Sequence, residues 1–173
     1  MDQYLAIIRG APASGKTTIA KLMRDFSKKV VWLKVDNFKD FFADEASLAE
    51  QKYVDECAIA GLEYLLDRGF SVVMEKIFFD PFAIPLAVEA AAKRNIRVKV
   101  FQLKCPLNIL QARDKQRPGI KEGCRQPLGD EIIEKIYHQL EATYYPGAIA
   151  IDTGRLSVAE CVRQIESSCD NLF

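Results

Sequence analysis

The residues with the clearest chemical pattern in this chain lie near its beginning. Their order fits G-x-x-x-x-G-K-[S/T] without a mismatch. The two glycines allow the backbone to wrap with its N–H groups pointing inward, so that an anion can approach closely. Lys16 can reach the outer phosphates of a bound polyphosphate, and the Thr17 hydroxyl suits Mg²⁺, which prefers oxygen ligands. The loop consists of Gly10, Ala11, Pro12, Ala13, Ser14, Gly15, Lys16 and Thr17.

The segments on both sides of this loop have the character that a phosphate site needs. Residues 5–8 form a short apolar run typical of a buried strand, which we predict over 5–9, and the residues after the loop are helical in pattern, with Ile19, Met23 and Phe26 on one face. The start of such a helix favours a bound anion through its N–H groups and its dipole. We therefore expect a nucleoside triphosphate to bind here, with Thr18 among its contacts. The alternative is a chance match in a glycine-containing turn.

Length and composition predict one compact domain without a membrane segment. The chain has 173 residues, of which 49% are hydrophobic, and this is enough to bury a core. Its 24 basic and 24 acidic residues balance, so nothing attracts it as a whole to nucleic acid or anionic membranes, although a local basic patch is compatible with this balance. Five dispersed cysteines without a C-x-x-C pair predict reduced thiols in a cytoplasmic protein rather than a zinc site or disulfides. We expect neither a signal peptide nor a membrane span.

Strand and helix patterns alternate along the chain. Because the strand candidates are apolar on both faces, they predict a parallel sheet covered by helices on both sides, in an α/β fold of three layers. Ligands of such sheets bind at the carboxyl ends of the strands, where we therefore expect the functional residues. Ser157 and Glu160 form a capping box before the last helix. After the first strand, strands are predicted at 30–35, 70–75, 97–103 and 148–152, and helices at 47–68, 83–94, 107–116, 130–142 and from 157 onward.

Two acidic residues follow apolar strands directly. Asp36 ends the second strand, where its carboxylate could accept the proton of an attacking hydroxyl or hold Mg²⁺ through water. The alternative role for Asp36 is an N-cap, since residues 37–42 could start a helix, and the two roles are compatible. Glu75 ends the third strand and could orient the magnesium shell or bind the acceptor. The alternative for Glu75 is a solvated strand end.

Two arginines follow the fourth strand. Arg113 and Arg117 are four residues apart and project from one helix face, where they could clamp a transferring phosphoryl group. The alternative is an ordinary pair of surface charges near a helix end. The glycine-rich residues after them, 119–129, indicate a mobile loop. We therefore expect a lid over 113–129 that closes on the nucleotide.

Aromatic residues cluster near the ends of the second and third strands. Phe38 and Phe78 are the predicted substrate contacts in this cluster, and they suit a partly apolar acceptor. Packing of these rings in the core is an equally good interpretation.

The chain resembles the small P-loop kinases that phosphorylate hydroxyl groups. This group includes chloramphenicol phosphotransferase, zeta-toxin kinases, polynucleotide 5′-hydroxyl kinases, and gluconate and shikimate kinases. The resemblance rests on the Gly10–Thr17 loop, Asp36 after its strand, the segment 106–117 and the segment 149–153. It implies a P-loop NTPase fold over 1–173, with five parallel strands in the order 2-3-1-4-5. It also implies ATP and Mg²⁺ as the donor, with Asp152 and Thr153 near the nucleotide base.

Departures from this group narrow the predicted acceptor. Two of its subgroups carry an arginine shortly after the strand-two aspartate, whereas here the first basic residue after Asp36 is Lys39, and this disfavours shikimate-like and polynucleotide-like acceptors. The favoured hypothesis is transfer of the γ-phosphoryl group of ATP to a hydroxyl of a small molecule. The alternatives are a polynucleotide 5′-hydroxyl kinase and a nucleotide-dependent regulatory ATPase. The acceptor and the oligomeric state stay open.

Overall fold

Five parallel strands form the centre of the protein, in the order β2-β3-β1-β4-β5. The computed structural model describes residues 2–42, 51–79, 82–119 and 126–170. The central strand, β1, is buried at all seven positions because it has a strand on each side and helices on both faces. The sheet confirms the predicted fold class and strand order. The strands are β1 Tyr4–Gly10, β2 Val30–Lys34, β3 Ser71–Glu75, β4 Arg97–Lys104 and β5 Ile149–Asp152.

Helices cover the two faces of this sheet and bury an apolar core on each. On one face, Leu62 of α2 and Ala87 of α3 pack with Leu5 of β1. On the other face, Ile19 of α1 and Ile165 of α6 belong to a second core. No helix in the described part of the chain is long and apolar enough to cross a membrane. The helices are α1 Lys16–Phe26, α2 Gln51–Asp67, α3 Ala83–Ala92, α4 Leu107–Lys115, α5 Asp130–Ala142 and α6 Val158–Asp170, and a 3-10 helix spans Val35–Phe41.

The capping signal before the last helix acts as the sequence predicts. The N–H of Ser157 donates to Glu160 Oε2 at 2.8 Å, and the N–H of Glu160 donates back to Ser157 Oγ at 3.3 Å. This reciprocal pair is the capping box, and it lies directly before α6. The predicted start of α2 at residues 47–50 lies outside the described residues.

One predicted core position is wrong. Phe26 was expected on the buried face of α1, but its ring is 67% exposed. It is the last residue of α1, and Ser27 after it is already extended. Periodicity identifies the buried face of a helix, but it does not indicate how far along the helix the sheet provides cover.

Candidate nucleotide-binding cleft

The loop between β1 and α1 has the backbone geometry of a phosphate cradle. Ala13 and Gly15 adopt positive φ angles of 62° and 94°, which turn the chain around the loop interior. Gly15 is also the N-cap of α1 and provides no capping side chain, so the first N–H groups of this helix face the loop. Gly10 allows close packing, because a Cβ there would lie 2.8 Å from Ser14 Oγ and 3.0 Å from Leu103 Cβ.

Lys16 holds its ammonium group within this loop. The Nζ atom donates to the carbonyl oxygens of Gly10 and Ala11, both at 2.9 Å. The residue is only 8% exposed, although it lines the cleft described below. A cation fixed in this place can contact the outer phosphates of a nucleotide that lies along the loop.

Thr17 and Glu75 connect the loop to the neighbouring strand. The Thr17 hydroxyl donates to Glu75 Oε1 at 2.9 Å, and Glu75 is 3% exposed. Glu75 ends β3 in register with Ile8 of β1 and Lys34 of β2, so its side chain lies on the α1 face of the sheet. A hydroxyl and a carboxylate side by side are hard oxygen donors, and this donor set fits Mg²⁺.

Asp36 lies at the same edge of the sheet, one residue into the 3-10 helix. Its Oδ1 atom is 2.9 Å from the Lys39 ammonium, and its side chain is 13% exposed. The alternative role as an N-cap is wrong, because the helix begins at Val35 with Lys34 as its cap. The carboxylate lines the cleft instead.

Arg113 reaches the cleft from α4, and Arg117 reaches it from two residues beyond the end of that helix. The prediction that both project from one helix face is therefore wrong, because α4 ends at Lys115. Arg113 donates to the carbonyl oxygen of Thr153 at 2.7 Å and lies 3.6 Å from the sulfur of Cys105. Burial raises the pKa of the Cys105 thiol, and the Arg113 charge opposes this only in part. Arg113 therefore lies beside a thiol rather than a thiolate at neutral pH.

These elements surround one open cleft of about 850 Å³. Lys16 and Thr17 line it beside Asp36 and Glu75, and the two arginines face them from the α4 side. Of the predicted site residues, the cleft lining includes Pro12, Ala13, Ser14, Gly15, Lys16, Thr17, Thr18, Asp36, Glu75, Arg113, Arg117 and Thr153.

Other predicted site residues do not line this cleft. Phe78 is 1% exposed and packs in the core beneath α2 and α3. Phe38 packs against the same core, close to Gly61 of α2. Asp152 accepts a hydrogen bond from the N–H of Gly154 at 3.0 Å and shapes the turn after β5. Gly10 and Ala11, at the start of the loop, are buried and do not line the cleft. Residues 120–125 of the predicted lid lie outside the described part of the chain.

Two charged residues were missed by the sequence analysis. Lys34 lines the cleft beside Asp36. Its position at the end of an apolar strand is the sequence feature that could have predicted this role. Arg9 is fully buried, and its guanidinium donates to the Thr143 carbonyl at 2.6 Å and to the Phe78 carbonyl at 3.1 Å. Burial lowers the pKa of Arg9, while Glu141 nearby raises it in part. A charge within a central strand was the signal for Arg9.

The sheet order and the loop define a P-loop nucleotide-binding domain. The chain belongs to the AAA domain family AAA_33, whose sequence profile matches residues 5–142. A comparison with curated proteins found no match.

Solved structures share this fold over most of the chain. The tunicamycin resistance protein of Deinococcus radiodurans has a TM-score of 0.69 at 14% identity, covering 97% of this chain and 96% of that one. A gluconokinase from Sinorhizobium meliloti 1021 has a TM-score of 0.65 at 15% identity, covering 96% and 91%. A chain of the Pnkp1/Rnl/Hen1 RNA repair complex has a TM-score of 0.65 at 21% identity, covering 82% of this chain and 45% of that one. At these identities the likeness establishes the fold.

Replacing Gly10 by alanine tests the packing of the loop. The new Cβ would meet Ser14 Oγ at 2.8 Å and the Leu103 carbonyl oxygen at 3.2 Å. We expect the free energy of unfolding to fall by about 1–3 kcal/mol, the usual effect of overpacking, in urea denaturation.

The matched control is Gly61→Ala in α2. Among the described residues a Cβ there meets only the edge of the Phe38 ring, at 3.5 Å, which is an ordinary contact, and alanine is the better helix former. This variant should gain roughly 0.5–1 kcal/mol. Equal stability of the two variants would contradict the assigned loop packing.

Proposed function

We propose that this protein is an ATP-dependent phosphotransferase that moves the γ-phosphoryl group of ATP-Mg to a hydroxyl of a small molecule. The observation that carries the proposal is the composition of the cleft. A phosphate loop with its lysine, a hydroxyl–carboxylate pair, a separate aspartate and two arginines line the same space. Phosphoryl transfer depends mainly on positioning and charge neutralisation, and these groups provide both.

The donor side of the cleft consists of the loop and the start of α1. The loop N–H groups and Lys16 would bind the β- and γ-phosphates. Thr17 and Glu75 would hold Mg²⁺, directly or through water, and Mg²⁺ supplies charge neutralisation on the phosphate oxygens. Arg113 and Arg117 would stabilise charge on the transferring group from the opposite side.

The acceptor side is formed by the ends of β2 and β3. Asp36 would accept the proton of the attacking hydroxyl, and Lys39 holds one of its carboxylate oxygens in place. Phe38 and Phe78 pack in or against the core, whereas Phe41 is 74% exposed and Phe79 is 39% exposed. Of these four rings, the two exposed ones are those that an acceptor could reach from solvent, and none of the four lines the cleft. A small polar acceptor is compatible with the gluconokinase that shares this fold.

Replacing Asp36 by asparagine tests its role as the base. Once a screen of ATP with sugars, nucleosides and antibiotics has found a product heavier by one phosphoryl group, turnover of that acceptor should fall about 10²- to 10⁴-fold, because asparagine cannot accept the proton. ATP affinity, measured by calorimetry, should change little.

The control is Asp40→Asn, which removes the same charge from an exposed position on the same 3-10 helix. It should keep full turnover. Full turnover in Asp36→Asn would instead exclude the proposed base. If the screen yields ATP hydrolysis but no phosphorylated product, a regulatory ATPase becomes the better assignment.

Replacing Glu75 by glutamine tests the magnesium assignment. Glutamine can still accept the Thr17 hydrogen bond but carries no charge for the cation. We expect the Mg²⁺ concentration at half-maximal ATP binding to rise about tenfold, the usual effect of losing one such ionic contact. The change is measured by titrating Mg²⁺ against a fluorescent ATP analogue. Asp25→Asn, at an exposed position of the same cleft, should leave the titration unchanged, and equal shifts would refute a specific role for Glu75.

A basic surface beside the cleft favours a second candidate function, phosphorylation of nucleic acid 5′-hydroxyls. Lys21 and Arg24 lie over the ring of Trp32, at 5.4 Å and 5.7 Å from its centroid. Lys34 follows two residues later on the same strand face and lines the cleft, and Lys29 is exposed where the edge strand begins. A row of cations and an aromatic ring that ends near Asp36 would suit single-stranded nucleic acid, because the cations bind phosphates and a base can stack on the ring.

Trp32 is the only tryptophan in the chain and reports directly on this surface. If a single-stranded oligonucleotide with a 5′-hydroxyl binds here, its addition should quench the fluorescence, and affinity should fall steeply with salt. Lys29→Glu should weaken the binding, while Lys93→Glu, an exposed control after α3, should not. An unchanged spectrum at low salt would remove this candidate and leave the small-molecule acceptor.

A further inference from the structure

Asp114 is a buried carboxylate that lies between Arg113 and Arg117 in the sequence. The proposed phosphoryl transfer gives this carboxylate no role. It lies near the end of α4 and is 1% exposed. Its Oδ2 atom accepts the backbone N–H groups of Leu128 and Gly129, at 2.8 Å and 3.0 Å. Its Oδ1 atom is 3.2 Å from Nε of Arg117. One side chain thus contacts the start of α5 and a cleft arginine.

The two oxygens of Asp114 have different surroundings. Oδ2 is satisfied by two N–H groups that precede α5, a helix whose N-cap, Gly129, offers no capping side chain. Oδ1 receives no aligned hydrogen bond from the described residues, although the Arg117 guanidinium lies beside it. Burying a carboxylate costs several kcal/mol unless other groups compensate it. Capping α5 accounts for Oδ2, and the positive charge of Arg117 is what compensates Oδ1.

The direction of this contact determines what Arg117 can offer to a ligand. Nε is the guanidinium nitrogen nearest to Asp114, so the attraction between the two charges holds the inner edge of the guanidinium against the carboxylate. Within the described part of the chain no hydrogen bond occupies the two terminal nitrogens, and Arg117 lines the cleft in which they can meet an anion. A guanidinium can bind phosphate with two nitrogens, and holding its plane beforehand lowers the side-chain entropy lost on binding. The Arg117 side chain is 18% exposed, so protein covers most of it.

We propose that Asp114 is a positioning residue that orients Arg117 toward the terminal phosphate of the bound nucleotide. The inference rests on the proposed function, because it assumes that ATP occupies the cleft. It predicts that Asp114 affects affinity for ATP but not for ADP, and that this effect passes through Arg117. A purely structural role in capping α5 would affect both nucleotides alike.

The test is a double-mutant cycle read out by nucleotide binding, so that no acceptor is needed. Arg117→Gln should weaken ATP-Mg binding about tenfold, the effect of losing a hydrogen bond between charged groups, and leave ADP-Mg binding within about twofold. Asp114→Asn keeps an oxygen for Leu128 and Gly129 but removes the charge that faces Arg117. It should weaken ATP binding about fivefold and spare ADP. The double variant should be no weaker than Arg117→Gln, because Asp114 has nothing left to position.

The matched control is Asp130→Asn. Asp130 lies in the first turn of α5, the helix that Asp114 caps, and it is exposed. Its carboxylate pairs with Lys115 at 2.7 Å, so the substitution changes the charge at the start of α5 without changing a contact of Arg117. Its ATP and ADP affinities should equal those of the wild type. Additive effects in the cycle would overturn the inference, as would equal loss of ATP and ADP binding in Asp114→Asn.

A second variant keeps the test decisive if Asp114→Asn folds poorly. Arg117→Lys leaves Asp114 and the start of α5 intact, but the lysine ammonium lacks the planar fork of a guanidinium. The preference of this variant for ATP over ADP should therefore fall nearly as far as that of Arg117→Gln. A full ATP preference in this variant would overturn the inference, because charge alone would then suffice. Wild-type protein that binds neither nucleotide would instead refute the proposed function, and this inference with it.

Discussion

The hydrogen bond between Thr17 and Glu75 is the contact on which the arrangement of the cleft depends. It joins the first turn of α1 to the end of β3, so the phosphate loop is fixed against a strand adjacent to its own. Because β3 lies between β1 and β2, it also separates the loop after β1 from Asp36 after β2. Glu75 and Asp36 are held by elements whose other side chains form the core, and this gives the site its rigidity.

Charge is distributed unevenly in a chain that is neutral overall. The cleft lining includes three lysines and two arginines against three carboxylates, so its net charge is positive although the whole chain carries none. Lys16 lies in the loop, Lys34 at the strand edge, and the arginines opposite both. A cleft with this balance attracts a polyphosphate, while the rest of the surface stays neutral enough to avoid general association with anions.

The sequence was most informative where backbone geometry depends on residue type. The loop, the parallel strands and the capping box at Ser157 could be predicted because glycines, apolar runs and capping residues act locally. The order of the strands is not local, and its prediction rested on the resemblance to the small P-loop kinases. The orientation of side chains could not be predicted. Phe38 and Phe78 end up in or against the core because α2 packs over them, and that packing joins residues far apart in sequence. Asp114 was overlooked because its partners at 128 and 129 lie beyond a loop whose path no local pattern specifies.

The buried charge of Arg9 has a consequence for the chain during its synthesis. Its guanidinium joins the exit of β3 to Thr143, a residue 134 positions away. During translation the phosphate loop emerges early, but the buried charge beneath it lacks this partner until α5 has been made. A nascent chain that stops short of residue 143 would leave a charged group within its central strand, and such a fragment would be a ready substrate for chaperones and proteases.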